Sequence, residues 1–141
     1  MKRYYYENML AKLLLCASSC HTVTIGPFVL SRRKESSLDR RIKNHETTHY
    51  LQWAEVTILS MLLIAAACAF FRWSPLWTAA SMAVYYLLYA IEWAALLAVF
   101  RDAKKAYRTI GFEQEAYGNE NDNGYNESRP LFSGWTNARR K

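Results

Sequence analysis

The sequence contains little cysteine and little charge. Its three cysteines, Cys16, Cys20 and Cys68, are odd in number and follow no metal-binding spacing. No disulfide framework is therefore implied, which suits a reducing cytoplasmic side. Charged residues make up only 21% of the chain, against 52% hydrophobic and 15% aromatic residues, and this excludes intrinsic disorder for most of its length. At 141 residues the chain is too short for separate cofactor-binding and substrate lobes.

Two long stretches of the sequence are almost free of charge. Segment 56–71 has no charged residue, and segment 75–100 has only Glu92. At about 1.5 Å per helical residue the second can cross a hydrocarbon core of roughly 30 Å, and the first can do so with a few preceding residues. The short connection 72–74 and the helix-starting Pro75 predict a membrane helical hairpin. The alternative is a pair of buried helices in a soluble all-α domain, but such helices normally carry a polar stripe.

The basic residues are arranged around this hairpin. Nine of the eighteen Lys and Arg residues precede it, Arg72 lies in its turn, and eight follow it. By the positive-inside rule, this distribution predicts a protein integral to a membrane of the bacterial inner-membrane type, with both termini in the cytoplasm. The net charge of +6 then reflects topology and contact with an anionic lipid bilayer. A nucleic-acid partner is not expected, because no basic folded module is recognisable.

The remaining patterns predict a mainly α fold in a single domain, 1–141, with a short β-strand or hairpin. We expect an N-terminal part, 1–37, with an amphipathic helix over residues 4–16 and an edge strand, then a helix over 38–72, a second membrane helix over 75–108, and a glutamate-containing helix with a polar tail in 111–141. No Gly or Pro interrupts the first long helix. A turn is expected at Gly111.

The motif with the clearest chemistry lies on the helix before the first apolar segment, where the sequence reads His45-Glu46-Thr47-Thr48-His49. Four-residue spacing places both imidazoles on one helical face, where they could bind one Zn²⁺ at about 2.0–2.1 Å. Glu46 lies beside that face and is the candidate general base. The alternative is a solvated helix whose two histidines are ordinary surface or interface residues.

A catalytic zinc site needs a third protein ligand. Glu113 or Glu115 could supply it, because the hairpin returns the chain to the same side of the membrane. Two positions along a helix rotate a side chain by about 200°, so only one of them can point at the metal. Gln52 lies one turn beyond His49 and is a candidate for supporting the ligands. A strand near 22–30 is expected beside the metal, where its edge could hold extended substrate.

The order of these features resembles a known family. An HExxH helix, a hydrophobic hairpin and a Glu-x-x-Ala-Asp helix occur in this order in the membrane-integrated HExxH zincins, gluzincin-like metallopeptidases that include the CAAX prenyl protease and HtpX. The matching stretch after the hairpin is Glu113-Gln114-Glu115-Ala116-Tyr117. The resemblance covers residues 38–118 by order of features. The sequence also resembles, more loosely, the soluble gluzincins that have a Glu-x-Glu-Ala pattern.

This resemblance implies a zinc endopeptidase that hydrolyses a peptide or membrane-protein substrate. By position, it implies zinc ligation by His45, His49 and Glu113, with Glu46 as the general base. Tyr117 stands where the family has aspartate and is a candidate for supporting the ligands, and Glu115 is the reserve candidate for the third ligand. The other function left open by the sequence is that of a non-enzymatic small membrane protein, a partner or regulator whose histidines bind metal structurally or not at all.

Glu92 is the one ionisable residue within the second apolar segment. Such a residue is a candidate functional group. It could lie next to Glu55 across the hairpin and share a proton with it. Alternatively, it could form hydrogen bonds with Tyr or Trp side chains of the hairpin.

Overall fold

The computed structural model describes residues 4–16 and 20–136. The fold is mainly helical, with 70% helix, and these residues form seven α-helices and a small three-stranded sheet. The strands are β1 (Tyr4–Tyr5), β2 (Thr22–Ile25) and β3 (Phe28–Ser31), and the helices are α1 (Met9–Leu14), α2 (Arg40–Phe71), α3 (Ser81–Phe100), α4 (Ala103–Thr109), α5 (Gly111–Asn119), α6 (Tyr125–Ser128) and α7 (Ser133–Thr136). The predicted mainly α fold with a β-hairpin before the motif helix is confirmed.

The described residues divide into two compact units. One contains the residues up to Leu51 together with Ala116–Arg129, and the other contains Gln52–Glu115 together with the residues from Pro130.

The sheet lies in the first unit and has the strand order β1-β3-β2. Strands β2 and β3 pair antiparallel from Thr22↔Ser31 to Ile25↔Phe28. Their two-residue turn contains Gly26, whose φ of 55° is the left-handed conformation that such a turn requires. Strand β1 pairs parallel to β3. Because β3 is central, β2 forms an edge of the sheet.

The N-terminal helix is shorter than the sequence suggested. Tyr4 and Tyr5 pair with β3, so the helix begins only at Met9. Asn8 caps it by accepting hydrogen bonds from the N–H groups of Leu10 and Ala11, at 2.9 and 3.4 Å. Ala11 is fully buried.

Helix α2 runs for 32 residues without a break, as expected for a segment without Gly or Pro. Arg72 follows in a left-handed conformation, with φ of 56°. The chain then enters a short 3₁₀ helix, Pro75–Ala80, whose first turn is capped by Ser74. This connection turns the chain towards α3.

Helix α3 ends at Phe100, before residue 108, the end expected from the sequence. Arg101 adopts a left-handed conformation with φ of 52° and donates its N–H to Leu97, a common way for a helix to end. Asp102 then caps α4 by accepting from two backbone N–H groups. The two N–H groups belong to Lys105 and Lys104. Their hydrogen bonds, of which that from Lys105 has the larger effect, hold the pKa of Asp102 below its usual value. The chain therefore turns at Arg101, well before Gly111.

Two helical segments, Arg40–Phe71 and Pro75–Phe100, are long and apolar enough to cross a membrane. Within their most apolar stretches only 11% and 6% of residues are buried in the protein. Leu63 and Phe70 on α2, for example, are 64% and 81% exposed. A core helix of a soluble protein would bury far more of such residues.

The second unit has a buried core formed by Val56, Tyr85, Ile110 and Phe112. Glu92 helps to place α5 beside α3, because its Oε1 accepts a hydrogen bond from the N–H of Gly111 at 3.0 Å. The sequence suggested that Glu92 shares a proton with Glu55 or bonds Tyr or Trp side chains of the hairpin, and this backbone partner differs from both. Glu55 accepts a hydrogen bond from the N–H of Phe132 at 3.2 Å. Glu92 thus caps the first turn of α5.

Candidate metal centre

His45 and His49 lie on one face of α2, as their spacing predicts. Both are buried, and their Nε2 atoms are 3.0 Å apart. The two rings meet nearly edge to face, with centroids 4.7 Å apart and an interplanar angle of 79°. Two imidazole nitrogens approach this closely when they share a proton or point at the same cation.

Glu113, which is 2% exposed, completes a candidate metal-binding group with these histidines. Each residue offers one ligand atom, and these atoms all lie within 4.8 Å of one another. Two zinc-bound nitrogens at tetrahedral angles would be about 3.3 Å apart, close to the spacing of the two Nε2 atoms. Within 4–16 and 20–136, no other set of three or more His, Cys, Asp or Glu residues meets this criterion. The buried group could therefore bind a metal ion.

The second ring nitrogen of His45 faces an acidic residue that sequence analysis missed. Nδ1 of His45 lies 3.5 Å from Oε2 of Glu120, and Oε1 of Glu120 lies 3.5 Å from Nε of Arg41. A carboxylate beside Nδ1 favours the tautomer with a proton there, so that Nε2 presents its lone pair to a metal. The spacing of seven residues from Glu113, about two helical turns, pointed to Glu120, although α5 itself ends one residue earlier, at Asn119.

Tyr117 is in contact with the same histidine. Its ring centroid lies 4.6 Å from that of His45, at an interplanar angle of 63°. The contact is aromatic, whereas the aspartate of the resembled family would offer a carboxylate. Tyr117 therefore packs against the ring of His45, and the carboxylate near that ring comes from Glu120.

Glu46 is buried and held by strand β2. Its Oε1 accepts a hydrogen bond from the hydroxyl of Thr22 at 2.5 Å, and its Oε2 accepts one from that of Thr24 at 2.6 Å. Alternate residues of a strand point to the same side, so one face of β2 engages both carboxylate oxygens. The expected strand therefore does contact the motif helix. No sequence motif assigned a role to these two threonines, although their i, i+2 spacing in a predicted strand places them on one face of it.

Glu113 also has a specific partner. The hydroxyl of Tyr89 on α3 donates a hydrogen bond to Oε1 of Glu113 at 2.7 Å. No sequence pattern pointed to Tyr89, which is one of ten tyrosines in the chain.

Glu115, the reserve ligand candidate, lies outside the metal-binding group and belongs to a buried hydrogen-bond network. Its Oε2 accepts from Nε2 of Gln52 at 2.9 Å, and its Oε1 accepts from the hydroxyl of Ser133. Gln52 also donates to the carbonyl of Phe112 at 3.0 Å and accepts from the hydroxyl of Tyr85 at 3.2 Å. The network ties α5 to α2, α3 and α7. Gln52 thus forms hydrogen bonds with Glu115, Phe112 and Tyr85.

The third histidine of the chain, His21, has a different environment. Its Nδ1 lies 3.2 Å from the guanidinium of Arg32. Desolvation, followed by the charges of Arg33 and Arg32, lowers the pKa of His21. His21 is not a member of the metal-binding group.

Comparison with known proteins does not assign the chain to a family. No family model matches it, and no curated protein and no solved structure matches it either.

Proposed function

We propose that the protein is a membrane-anchored zinc metallopeptidase with its HExxH site at the cytoplasmic surface. The observation that carries this proposal is the buried group of His45, His49 and Glu113, whose ligand atoms lie within 4.8 Å of one another. Burial of three such residues is costly unless they are paired or bind a metal. The position of His45 and His49 in an HExxH motif favours the second explanation.

The ligand types support zinc. Two imidazole nitrogens and one carboxylate oxygen match the protein ligands of catalytic zinc sites, which keep a fourth position open for water or substrate. Calcium and magnesium prefer sites made of oxygen ligands. When bound, zinc lowers the pKa of water and polarises the carbonyl of a scissile bond.

Glu46 is the general base of the proposed reaction. Its carboxylate accepts the proton of the attacking water and then delivers it to the leaving amine as the C–N bond breaks. The hydroxyls of Thr22 and Thr24 hold this carboxylate, at 2.5 and 2.6 Å. A base fixed in this way needs no reorganisation when the substrate arrives.

Strand β2 offers a surface for the substrate. It pairs with β3 on one side, and no other strand of the described chain pairs with its second side. An extended peptide can add to such an edge through main-chain hydrogen bonds. Because β2 also holds Glu46, a peptide bound there would run past the proposed base.

The membrane anchor in this proposal is the apolar part of α2 together with α3. Their exposed apolar side chains suit a hydrocarbon environment, and basic residues cluster before and after them in the sequence. The motif lies in the N-terminal part of α2, before the apolar stretch. The site would then face the cytoplasm, where both termini lie, and its substrate would be a peptide or a membrane protein.

A second candidate function is that of a non-enzymatic membrane protein, a partner or regulator in which the metal has a structural role. One observation favours it. Both carboxylate oxygens of Glu46 accept hydrogen bonds from threonines, so the group that should act as a base also has a purely structural use in joining β2 to α2.

Metal analysis of the full chain, purified in mild detergent, tests the proposal without knowledge of a substrate. We expect about one zinc per wild-type chain and almost none in His49→Ala or Glu113→Ala, because two remaining ligands are too few for a stable site. Glu127→Ala is the matched control, since Glu127 is an exposed glutamate outside the group. Equal zinc content in all four proteins, or none in the wild type, would contradict the proposal.

Incubation with a peptide library, read by mass spectrometry, then separates the two candidate functions. Cleavage by the wild type and loss of cleavage in zinc-loaded Glu46→Gln would support the peptidase. A zinc-loaded wild type that cleaves no peptide would favour the structural role.

A further inference from the structure

The proposed third ligand is held by a residue of α3. The Tyr89 hydroxyl donates to Oε1 of Glu113 at 2.7 Å, a short distance for a hydrogen bond to a carboxylate. Glu113 is 2% exposed, so little water competes for this bond. The contact therefore restricts the orientation of the Glu113 carboxylate.

The Tyr89 ring is itself fixed by packing. It lies nearly parallel to the ring of Phe112, with centroids 6.4 Å apart and an interplanar angle of 5°. The rings of Tyr85 and Tyr107 lie 6.2 and 6.4 Å away. The half-buried ring has three aromatic neighbours that orient its hydroxyl, and replacement by phenylalanine would remove the hydroxyl while keeping the ring.

We propose that Tyr89 is a positioning residue that makes Glu113 a one-oxygen ligand and thereby sets the metal preference of the site. This inference rests on the metal site of the proposed function. The Tyr89 hydroxyl engages Oε1, so that the carboxylate donates to the metal through its other oxygen. One carboxylate oxygen and two imidazoles suit a four-coordinate zinc ion with one open position.

Loss of this hydrogen bond would allow the carboxylate to turn and donate both oxygens. Bidentate carboxylates raise the coordination number, which suits oxygen-preferring ions better than it suits tetrahedral zinc. Tyr89 therefore raises zinc affinity and disfavours ions such as Mn²⁺. It also makes α3, a candidate membrane-spanning helix, part of the metal site as well as part of the anchor.

The test compares wild type with Tyr89→Phe, as full-length proteins in detergent, by titration with Zn²⁺, Mn²⁺ and Co²⁺. We expect zinc affinity to fall about 10- to 100-fold, the usual effect of removing a hydrogen-bond partner of a ligand. The ratio of zinc to manganese affinity should fall with it. The visible spectrum of the Co²⁺ protein should lose the intense bands of tetrahedral cobalt and show the weaker bands of higher coordination.

Tyr85→Phe is the matched control. Tyr85 lies one turn earlier on α3, is buried, and also loses one hydrogen bond when truncated, in this case to Gln52. We expect its zinc affinity and cobalt spectrum to equal those of the wild type. If Tyr85→Phe and Tyr89→Phe change both readouts equally, the effect is general destabilisation and the inference is overturned.

Two unnatural residues at position 89 keep the test valid if the phenylalanine variant does not fold. We expect 4-aminophenylalanine, which retains a donor at the same place, to keep wild-type affinity and spectrum. We expect 4-methylphenylalanine, which has a similar size and no donor, to lower the zinc affinity and to change the cobalt spectrum as phenylalanine does. Equal behaviour of these two variants would overturn the inference.

The outcomes also separate this inference from the proposed function. If the wild type binds zinc, His49→Ala does not, and Tyr89→Phe binds zinc as the wild type does, the inference fails while the metal site stands. If the wild type binds no metal, the proposed function fails and the inference fails with it.

Discussion

Nδ1 of His45 lies 3.5 Å from Oε2 of Glu120, on the opposite side of the ring from the nitrogen that faces His49. The carboxylate favours a proton on Nδ1 and leaves the Nε2 lone pair for a metal. We expect Glu120→Ala to weaken zinc binding about 10-fold or more, measured by competition with a chromophoric chelator. Glu120→Gln keeps the size of the side chain and removes its charge, so it should weaken zinc binding to a similar extent, because the 3.5 Å contact acts through charge.

Arg41→Gln is the control for this prediction. It removes the other charged neighbour of Glu120, at 3.5 Å, without touching the histidine. Because Arg41 is largely exposed, we expect little change in zinc affinity. An alanine variant of Glu120 that binds zinc as the wild type does would show that the 3.5 Å contact has no effect on the ligand.

Glu46→Gln should retain zinc and lose hydrolysis, because an amide cannot act as a base and Glu46 is not in the metal-binding group. Zinc content and peptide cleavage, measured on the same preparation, check this separation. Thr22→Val is a milder variant that removes one hydroxyl donor to Glu46. We expect it to keep zinc and to cleave peptide more slowly, with Thr22→Ser restoring the rate. Loss of zinc from Glu46→Gln would show that Glu46 supports the metal and not only the reaction.

Glu115→Ala should destabilise the protein through its hydrogen-bond network. The substitution leaves the buried donors of Gln52 and Ser133 without their acceptor, at a cost of about 1–3 kcal/mol each. The temperature of unfolding in detergent should therefore fall. Below that temperature the variant should still bind zinc, in contrast to Glu113→Ala, which should lose zinc. Loss of zinc from a folded Glu115→Ala protein, with zinc kept by Glu113→Ala, would show that Glu115 is the metal ligand and Glu113 is not.

Two glycines should respond to alanine in opposite directions. A Cβ at Gly134 would lie 2.8 Å from Oε2 of Glu115 and 3.2 Å from Cδ1 of Phe112, so we expect Gly134→Ala to destabilise the protein by about 1–3 kcal/mol. A Cβ at Gly118 meets nothing within 4 Å. Because Gly118 lies within α5, we expect Gly118→Ala to stabilise the protein by about 0.5–1 kcal/mol. The unfolding temperature of Gly118→Ala should therefore be higher than that of Gly134→Ala. A lower unfolding temperature for Gly118→Ala would contradict this prediction.

The basic residues, nine before the proposed membrane hairpin, one in its turn and eight after it, predict that both termini lie in the cytoplasm. We expect a reporter fused after Lys141 to be active in the cytoplasm, and one inserted after Arg72 to be active in the exported compartment. Extraction of the protein from membranes by alkaline carbonate would contradict the spanning hairpin. Activity of the C-terminal reporter only after export would reverse the orientation.

The sequence by itself determined the features that depend on neighbouring residues. An uninterrupted apolar run without Gly or Pro forms one long helix, and four-residue spacing on that helix brings His45 and His49 together. The hairpin turn of β2 and β3 follows from Gly26, which supplies the positive φ. Helical geometry also implied that Glu113 and Glu115 could not both face a metal, although it did not choose between them.

Tertiary structure decided which glutamate joins the histidines and what holds each site residue. Glu113 and Tyr89 are 24 residues apart, Glu46 and Thr22 are also 24 apart, and Gln52 and Glu115 are 63 apart. The contacts of Glu113 and Glu115 depend on where α3 ends, and it ends at Phe100 because Arg101 takes a left-handed conformation that no local pattern required. Local periodicity specifies which face of a helix a residue occupies, whereas its partner across the fold depends on packing between segments distant in sequence.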